Sequence, residues 1–180
     1  MGRSLQAGSR AIPALTCLSH TGMMLQIGSR EFCVRLTRYT DYSLRVLIHL
    51  ALHEERLCSI GEIARAYDVS HNHLMKVVNA LAHDGFIETV RGRAGGMRLA
   101  RPADEITVGE VVRRTEEGFQ LADCSGCALS PACGLTGVLA QGMQAMMAVF
   151  DTYRISDLLS DREAMKRLIN RQSPLGVGMD

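Results

Sequence analysis

Hydrophobic residues recur every three or four positions through the middle of the chain, and this spacing predicts a series of short amphipathic helices. The first helix begins at a cap on Thr40 or Asp41. Its apolar side consists of Leu44, Leu47, Ile48 and Ala51. The second helix runs from Ile60 to Tyr67 behind Ser59, which forms a capping box with Glu62.

A third helix follows the second after a tight turn. Ser70 is placed to cap it, and Gly85 supplies the C-terminal cap. Its apolar residues, at i, i+3, i+4 and i+7, are Leu74, Val77, Val78 and Leu81. Two short helices joined by three or four residues, the second strongly capped, are typical of a helix-turn-helix.

The hydrophobic period changes from 3.6 to two after the third helix, which predicts a β-hairpin. Residues 86–90 form the first strand, residues 92–96 the loop and residues 97–100 the returning strand. A hairpin at this place is a wing. Its basic residues, with no acidic residue between them, are Arg91, Arg93, Arg98 and Arg101.

The remaining patterned part of the chain predicts a fourth helix, a loop and one long helix. The fourth helix covers residues 108–115 behind a cap at Thr107, and residues 116–134 are too irregular for a helix. The long helix carries a near-heptad apolar seam, formed by Leu135, Leu139, Gly142, Met146, Phe150 and Tyr153. Such a seam needs a partner, and a second copy of the same helix is the simplest one. Ser156 is predicted to cap a short last helix ending at Leu159.

These patterns place the chain in the mainly α class with a small β component (α+β) and divide it into four segments. Residues 1–33 show no clear period and are expected to be an extension, either disordered or upstream of the natural start, because a GTG codon for Val34 can itself initiate translation. The winged helix-turn-helix occupies residues 34–103. A cysteine-containing loop and the dimerisation helix occupy residues 104–160, and residues 161–180 are expected to be a flexible tail.

Composition excludes some classes of protein. With 180 residues, 47% hydrophobic and 22% charged, the chain fits a globular fold and not a disordered one. Its formal net charge is +1, so a nucleic-acid surface must come from local segregation of charge. No stretch of about 18 uninterrupted apolar residues is present, which argues against a membrane span and favours a cytoplasmic protein.

The third helix and the wing carry the candidate DNA-binding residues. Near the start of the helix, side chains that can form hydrogen bonds with base edges in the major groove are Ser70, His71, Asn72, His73 and Lys76. In the wing, Arg91, Arg93 and Arg98 can neutralise phosphates or probe the minor groove. The alternative is a solvated polar face on a small helical bundle, which the arginine-rich wing makes less favoured.

Three of the six cysteines, Cys124, Cys127 and Cys133, fall in one glycine-containing loop. Thiolates clustered in this way suit soft metals and iron–sulfur clusters. No histidine follows His83, so a nearby imidazole cannot complete the site, and apart from the adjacent Asp123 a fourth ligand must come from a distant segment or a partner chain. A zinc knuckle completed by Asp123 and a redox-active thiol pair remain alternatives.

No catalytic constellation is apparent, and we predict that the protein is not an enzyme. The glycines of the wing do not have the spacing of a phosphate-binding loop. His49 and His53 lie four residues apart but lack the glutamate that a zinc-protease helix places after the first histidine. We interpret them as ordinary polar residues at the edge of the first helix.

Three stretches together resemble the Rrf2 family of bacterial winged-helix transcription regulators. They are residues 36–45 (LTRYTDYSLR), 69–78 (VSHNHLMKVV) and 90–99 (VRGRAGGMRL), and the clustered cysteines follow them. Within that family the sequence is most similar to the nitric-oxide-sensing repressors. The resemblance implies a homodimer that binds a palindromic site on double-stranded DNA and is controlled by an iron–sulfur cluster, [4Fe–4S] in preference to [2Fe–2S].

The resemblance also implies a ligand set for that cluster. The ligands would be Cys124, Cys127 and Cys133, with Asp41 reaching across from the other subunit. Thr136 stands where the branch with a two-iron cluster has a ligating histidine, which favours the nitric-oxide-sensing branch. The gap between Cys124 and Cys127, however, is shorter than expected in that branch or in the iron-responsive one. A regulator of iron or cluster status is therefore the alternative function, and Asp41 could instead be a helix cap.

Overall fold

The computed structural model describes most of the chain: residues 25–27, 30–32, 35–116, 118, 121–129 and 132–172. The chain divides into two compact units, residues 1–36 and 37–180. In the first unit, strands β1 (Leu25–Ile27) and β2 (Arg30–Phe32) pair in an antiparallel register. These two strands differ from the expectation of an extension without regular structure. Residues 1–24 lie outside the described part of the chain.

The second unit begins with helix α1 (Arg38–Leu52). Its cap is Thr37, whose side-chain oxygen accepts a hydrogen bond from the Thr40 amide at 3.3 Å. The prediction of a cap at Thr40 or Asp41 is therefore wrong by three or four residues. Asp41 lies in the first turn of the helix, where an acidic side chain is favoured by the helix dipole.

Helices α2 (Ile60–Tyr67) and α3 (His71–His83) form the helix-turn-helix. The predicted capping interaction of α2 is confirmed, because the Ser59 hydroxyl accepts from the Glu62 amide at 3.2 Å. Ser70 occupies the N-cap position of α3 but makes no side-chain capping bond. Gly85 follows α3 with a φ of +76°, a left-handed conformation that glycine adopts without strain.

The wing consists of strands β3 (Ile87–Val90) and β4 (Gly96–Leu99), paired antiparallel as predicted. An additional backbone bridge joins β4 to the loop before α2. In it the Cys58 amide donates to the Met97 carbonyl at 3.0 Å, and the Met97 amide donates to the Cys58 carbonyl at 2.8 Å. The wing is therefore attached to the helix-turn-helix by main-chain hydrogen bonds as well as by side-chain packing.

The rest of the unit contains three α-helices and two short 3-10 turns. One 3-10 turn (Ala103–Glu105) precedes α4, and the other follows α5. Its α-helices are α4 (Val108–Thr115), α5 (Leu135–Thr152) and α6 (Arg162–Gln172). A 3-10 turn spans Ile155–Leu158, so Ser156 lies inside it and does not cap it. Residues 162–172 of the expected flexible tail form α6, which packs Met165 and Ile169 against the core, and residues 173–180 lie outside the described part of the chain.

One hydrophobic core unites α1 to α4, the wing and the 3-10 turn after α5. Its fully buried large side chains include Leu47, Leu50, Ile63, Leu74, Phe86, Ile106 and Ile155. Burial of each such side chain contributes about 1.5–3 kcal/mol. Helix α5 contributes no buried residue to this core. No helix in the described part of the chain is long and apolar enough to cross a membrane.

Candidate functional site

Helix α3 presents a polar face to solvent because its apolar residues are all used by the core. Leu74, Val77, Val78 and Leu81 are buried. The predicted base-contacting residues are all exposed: Ser70, His71, Asn72, His73 and Lys76. The structure thus places them together at the N-terminal end of α3.

Met75 belongs to this surface and was not singled out from the sequence. Its side chain is 41% exposed, between His73 and Lys76. Methionine is ordinarily a core residue, and its exposed side chain here can make apolar contacts of the kind made with a thymine methyl group. Its exposure could have been predicted from the sequence, because position 75 lies off the apolar stripe of α3.

The wing arginines differ in their surroundings. Arg91 and Arg93 are exposed, and neither forms an ion pair with another residue in the described part of the chain. Arg98 is also exposed, but its guanidinium lies 3.0 Å from the carboxylate of Glu88, its partner in the strand register. Glu88 precedes the stretch from Val90 to Ala103, which contains no acidic residue, so this cross-strand neighbour was not predicted.

Two adjacent glycines make the wing possible. A Cβ on Gly96 would lie 2.8 Å from the Cys58 carbonyl oxygen, closer than real Cβ atoms approach backbone. A Cβ on Gly95 would overlap the Val90 carbonyl oxygen. The wing can therefore close on itself and on the loop before α2 only because both side chains are absent.

The cysteine loop (residues 116–134) connects α4 to α5. Its three cysteines are free thiols, with Cys124 half-buried and both Cys127 and Cys133 exposed. Cys124 borders a groove of about 490 Å³ whose other lining residues include Leu121, Asp123, Thr136, Leu139 and Met143. Accessible thiols beside a groove at the end of a long helix suit a soft inorganic ligand.

Asp123 is held within the cysteine loop. Its carboxylate accepts hydrogen bonds from the Ser125 amide at 3.0 Å and the Ser125 hydroxyl at 2.6 Å. These hydrogen bonds lower the pKa of the Asp123 carboxyl. Because both bonds stabilise a carboxylate turned back on its own loop, the structure gives little support to the zinc knuckle completed by Asp123.

The start of α1 is linked to the start of the cysteine loop. Glu116, at the C-terminal cap of α4, accepts hydrogen bonds from the Thr37 amide at 2.7 Å and the Thr37 hydroxyl at 3.1 Å. One turn further along α1, the Asp41 carboxylate lies 2.9 Å from the guanidinium of Arg45 and is 43% exposed. Asp41 is therefore available to a ligand from outside this chain.

A second group of ligand-type side chains converges elsewhere. In the described part of the chain, the group able to surround a single metal ion is His49, His53 and Cys58, whose ligand atoms all lie within 4.8 Å of one another. The interpretation of both histidines as edge residues is wrong for His49, which is buried. Burial lowers the pKa of His49 and raises the pKa of Cys58 to about 11.

Comparison with known proteins assigns the fold to a family. The family model described as Rrf2, an iron-dependent transcriptional regulator, matches residues 36–161. The chain belongs to the Rrf2 family. It is 45% identical over 142 residues to the HTH-type transcriptional regulator NsrR of Bacillus subtilis, an alignment that covers 76% of this chain and 97% of that protein. It is 43% identical over 145 residues to NsrR of Geobacillus kaustophilus, covering 77% of this chain and 99% of the relative.

Solved structures of Rrf2 proteins share the architecture. CymR, the global cysteine regulator of B. subtilis, is 25% identical with a TM-score of 0.59, over 71% of this chain and 97% of CymR. T. potens IscR has a TM-score of 0.61 at 24% identity, over 73% of this chain and 90% of IscR. The protein is therefore a DNA-binding transcription regulator similar to NsrR and not an enzyme, as the sequence analysis predicted.

Proposed function

We propose that this Rrf2 protein is a repressor whose binding to promoter DNA is controlled by an iron–sulfur cluster that senses nitric oxide. The observation that supports the proposal most directly is the cysteine loop, with three free and accessible thiols in a chain that aligns with nearly the whole length of NsrR. The family resemblance makes [4Fe–4S] the preferred cluster.

The donor set fits such a cluster. Cys124, Cys127 and Cys133 would provide three thiolates, and Asp41 of a second subunit would provide a carboxylate. The thiolates of a polynuclear cluster bind different irons, so the three sulfur atoms need not surround one point. A cluster held there supplies iron that reacts with nitric oxide.

The DNA contacts follow from the exposed face of α3 and from the wing. Asn72 and Lys76 lie one helical turn apart and face solvent, so both can reach base edges in the major groove. Arg91 and Arg93 are free of ion pairs with the described residues and would bind phosphates. Arg98 must exchange Glu88 for a phosphate before it can contribute.

Homodimerisation through α5 completes the proposal. The helix buries none of its residues in this chain, and Leu135, Val138 and Val149 are 51%, 65% and 54% exposed. Apolar side chains exposed along a helix of 18 residues are typical of a helix that packs against a partner. A second copy of α5 would bury them and set the spacing of two DNA-binding domains.

A path within the chain connects the cysteine loop to the DNA-binding surface. Thr37 and Glu116 join the loop to the start of α1, and α1 packs against α3. Displacement of the loop would therefore move α1 and, with it, α3. A coupling free energy of about 1–3 kcal/mol, typical of allosteric proteins, corresponds to a change in affinity of roughly 5- to 150-fold.

The decisive experiment is anaerobic purification with iron and sulfide quantification, followed by nitric oxide titration in the presence of a palindromic promoter fragment. We expect a coloured protein whose DNA affinity falls as nitric oxide is added. Replacing all three loop cysteines with serine should abolish both properties, whereas Ser125→Ala, in the same loop, should keep them. A colourless protein with stoichiometric zinc would overturn the proposal, and release of DNA by iron chelation alone would favour an iron-status regulator.

The contribution of Asp41 is tested separately. Asp41→Ala should change the absorbance or the lifetime of the cluster, and Arg45→Ala, which keeps the carboxylate but removes its present partner, should not. Glu116→Gln should leave the spectrum intact and weaken the effect of nitric oxide on DNA affinity. An unchanged spectrum for Asp41→Ala would remove Asp41 from the ligand set.

A further inference from the structure

The cluster of His49, His53 and Cys58 lies far along the sequence from the cysteine loop and is built from the end of α1 and the loop before α2. His49 and Cys58 are fully buried, and His53 is half-buried. Histidine nitrogen and cysteine sulfur are the ligands that zinc prefers. The ligand atoms lie within 4.8 Å of one another, and around tetrahedral zinc they would be about 3.3–3.6 Å apart. Binding of a zinc ion would therefore draw the three ligand atoms closer together.

Hydrogen bonds already fix both imidazoles in the orientation of metal ligands. His53 donates from Nδ1 to the backbone carbonyl of His49 at 2.9 Å, which leaves the lone pair of its Nε2 free. His49 Nε2 lies 3.4 Å from the carboxylate of Glu62 and donates to it, which leaves a lone pair on Nδ1. Metal-ligating histidines typically donate the other ring N–H to a carboxylate or a carbonyl in this way.

The free nitrogen of His49 is the most informative atom. His49 Nδ1 is buried and has no hydrogen-bond partner among the described residues. An unsatisfied buried polar atom destabilises the folded chain, so such an atom needs an explanation. A bound cation provides one. The nearby positive charge of Arg56 would repel a bound cation, but the Arg56 guanidinium is paired with the Glu62 carboxylate.

We propose that His49, His53 and Cys58 form a second metal site, specific for zinc-type divalent ions and independent of the cysteine loop. His49 Nδ1, His53 Nε2 and the Cys58 thiolate are the protein ligands, and a water molecule takes the fourth position. On binding, the thiol proton of Cys58 passes to solvent as the Zn–S bond forms.

The site would strengthen the attachment of the wing. Cys58 is the residue whose amide and carbonyl are hydrogen-bonded to Met97 of β4. Zinc on its side chain would therefore tie α1, the loop before α2 and the wing together at one point. The zinc would hold the wing at a fixed position relative to the helix-turn-helix.

The test uses the full chain with the other five cysteines (17, 33, 124, 127 and 133) replaced by serine, so that Cys58 is the only thiol. Cobalt(II) is the spectroscopic probe. We expect one cobalt per chain with a thiolate charge-transfer band, and we expect zinc to displace it. His53→Gln should abolish the band, and Glu62→Gln should weaken binding about 10- to 100-fold through loss of the carboxylate that orients His49.

The matched control is His83→Gln, which removes an exposed histidine of α3 that lies outside the cluster and should bind cobalt like the parent. Circular dichroism of each variant establishes that it folds. A measurement on the parent does not depend on any variant: zinc should raise its melting temperature and slow amide hydrogen exchange at Cys58 and Met97. Absence of the thiolate band, or an unchanged melting temperature at saturating zinc, overturns the proposal.

Discussion

The winged helix-turn-helix and helix α5 use their hydrophobic residues in opposite ways. The winged domain is packed into a core that this single chain completes with α4 and the 3-10 turn after α5, and in that core Phe86 and Leu50 are 1% and 2% exposed. Helix α5 has no fully buried residue, although it contacts α4 and its Asp151 pairs with Arg113, and Val138 is 65% exposed. Amphipathic helices form in both regions, but those of the winged domain bury their apolar side chains within the chain, whereas α5 leaves apolar side chains exposed to solvent.

This difference indicates that the core around the winged domain stabilises the single chain, whereas α5 serves association with a partner. The core of the winged domain is complete within residues 37–172, so its free energy of unfolding should be a property of the single chain. The free energy of α5 should depend on a partner and therefore on protein concentration. Substitutions in the two regions can test that distinction.

Phe86→Ala should produce the largest effect. Removal of a fully buried aromatic ring costs about 3–5 kcal/mol, because transfer free energy is lost and a cavity remains. The midpoint of urea unfolding should fall sharply at every protein concentration. The stacking of the Arg101 guanidinium over this ring would be lost as well.

The matched substitution in α5 is Val149→Ala, at a side chain that is 54% exposed. At low protein concentration it should change the free energy of unfolding by no more than about 0.5 kcal/mol. A loss comparable to that of Phe86→Ala under those conditions would show that the Val149 side chain packs within its own chain.

The winged domain was predictable because its signals are local. The apolar spacing of α3, the Ser59 cap and the change of period at the wing each depend on a few neighbouring residues. The start of α1 was predicted late because Thr37 caps it before the apolar stripe begins. Helix α6 was missed because its sparse apolar residues, Met165 and Ile169, pack against a core that is distant in sequence.

Gly96→Ala should have the next largest effect. The added Cβ would meet the Cys58 carbonyl oxygen, so either β4 or the loop before α2 must move. Overpacking of this kind costs about 1–3 kcal/mol. Urea unfolding measures the loss, and faster hydrogen exchange at Met97 would locate it. An unchanged exchange rate at Met97 would contradict the role given to this close contact.

The wing arginines should differ in their contribution to DNA binding. Arg93→Ala removes a guanidinium without an ion pair among the described residues, so the slope of log affinity against log salt should fall by about 0.9 for one lost phosphate contact. Arg98→Ala should change the slope less, because Glu88 already neutralises Arg98. Glu88→Gln should raise affinity if Arg98 reaches the DNA once released. Equal slopes for Arg93→Ala and Arg98→Ala would show that the ion pair with Glu88 does not matter.

The candidate sites were predictable only in part, for a physical reason. Three cysteines in one loop are visible in any reading of the sequence, and so is a row of polar residues on α3. The convergence of His49, His53 and Cys58 depends on how the end of α1 meets the following loop, and the opposition of Glu88 and Arg98 depends on strand register. Such relations are set by tertiary packing and not by local spacing.

Replacement of two glycines of α5 by alanine should have the smallest effect on stability. It also gives the finest test of whether α5 packs against a partner. A Cβ on either Gly137 or Gly142 meets no atom of this chain within 4 Å. Replacement of glycine by alanine inside a helix stabilises it by about 0.5–1 kcal/mol. Both Gly137→Ala and Gly142→Ala should therefore raise helicity slightly in circular dichroism at low protein concentration.

At high protein concentration the two variants should diverge. Gly142 lies on the predicted seam with Leu139 and Met146, whereas Gly137 lies off it, so only the methyl group at position 142 would enter a close contact with a second α5. Sedimentation equilibrium should then show weaker association for Gly142→Ala and unchanged association for Gly137→Ala. A glycine on the seam that contacts a second α5 cannot accept an added methyl group without a change in packing. Identical association of Gly137→Ala and Gly142→Ala at all concentrations would therefore place the partner of α5 on another face of the helix.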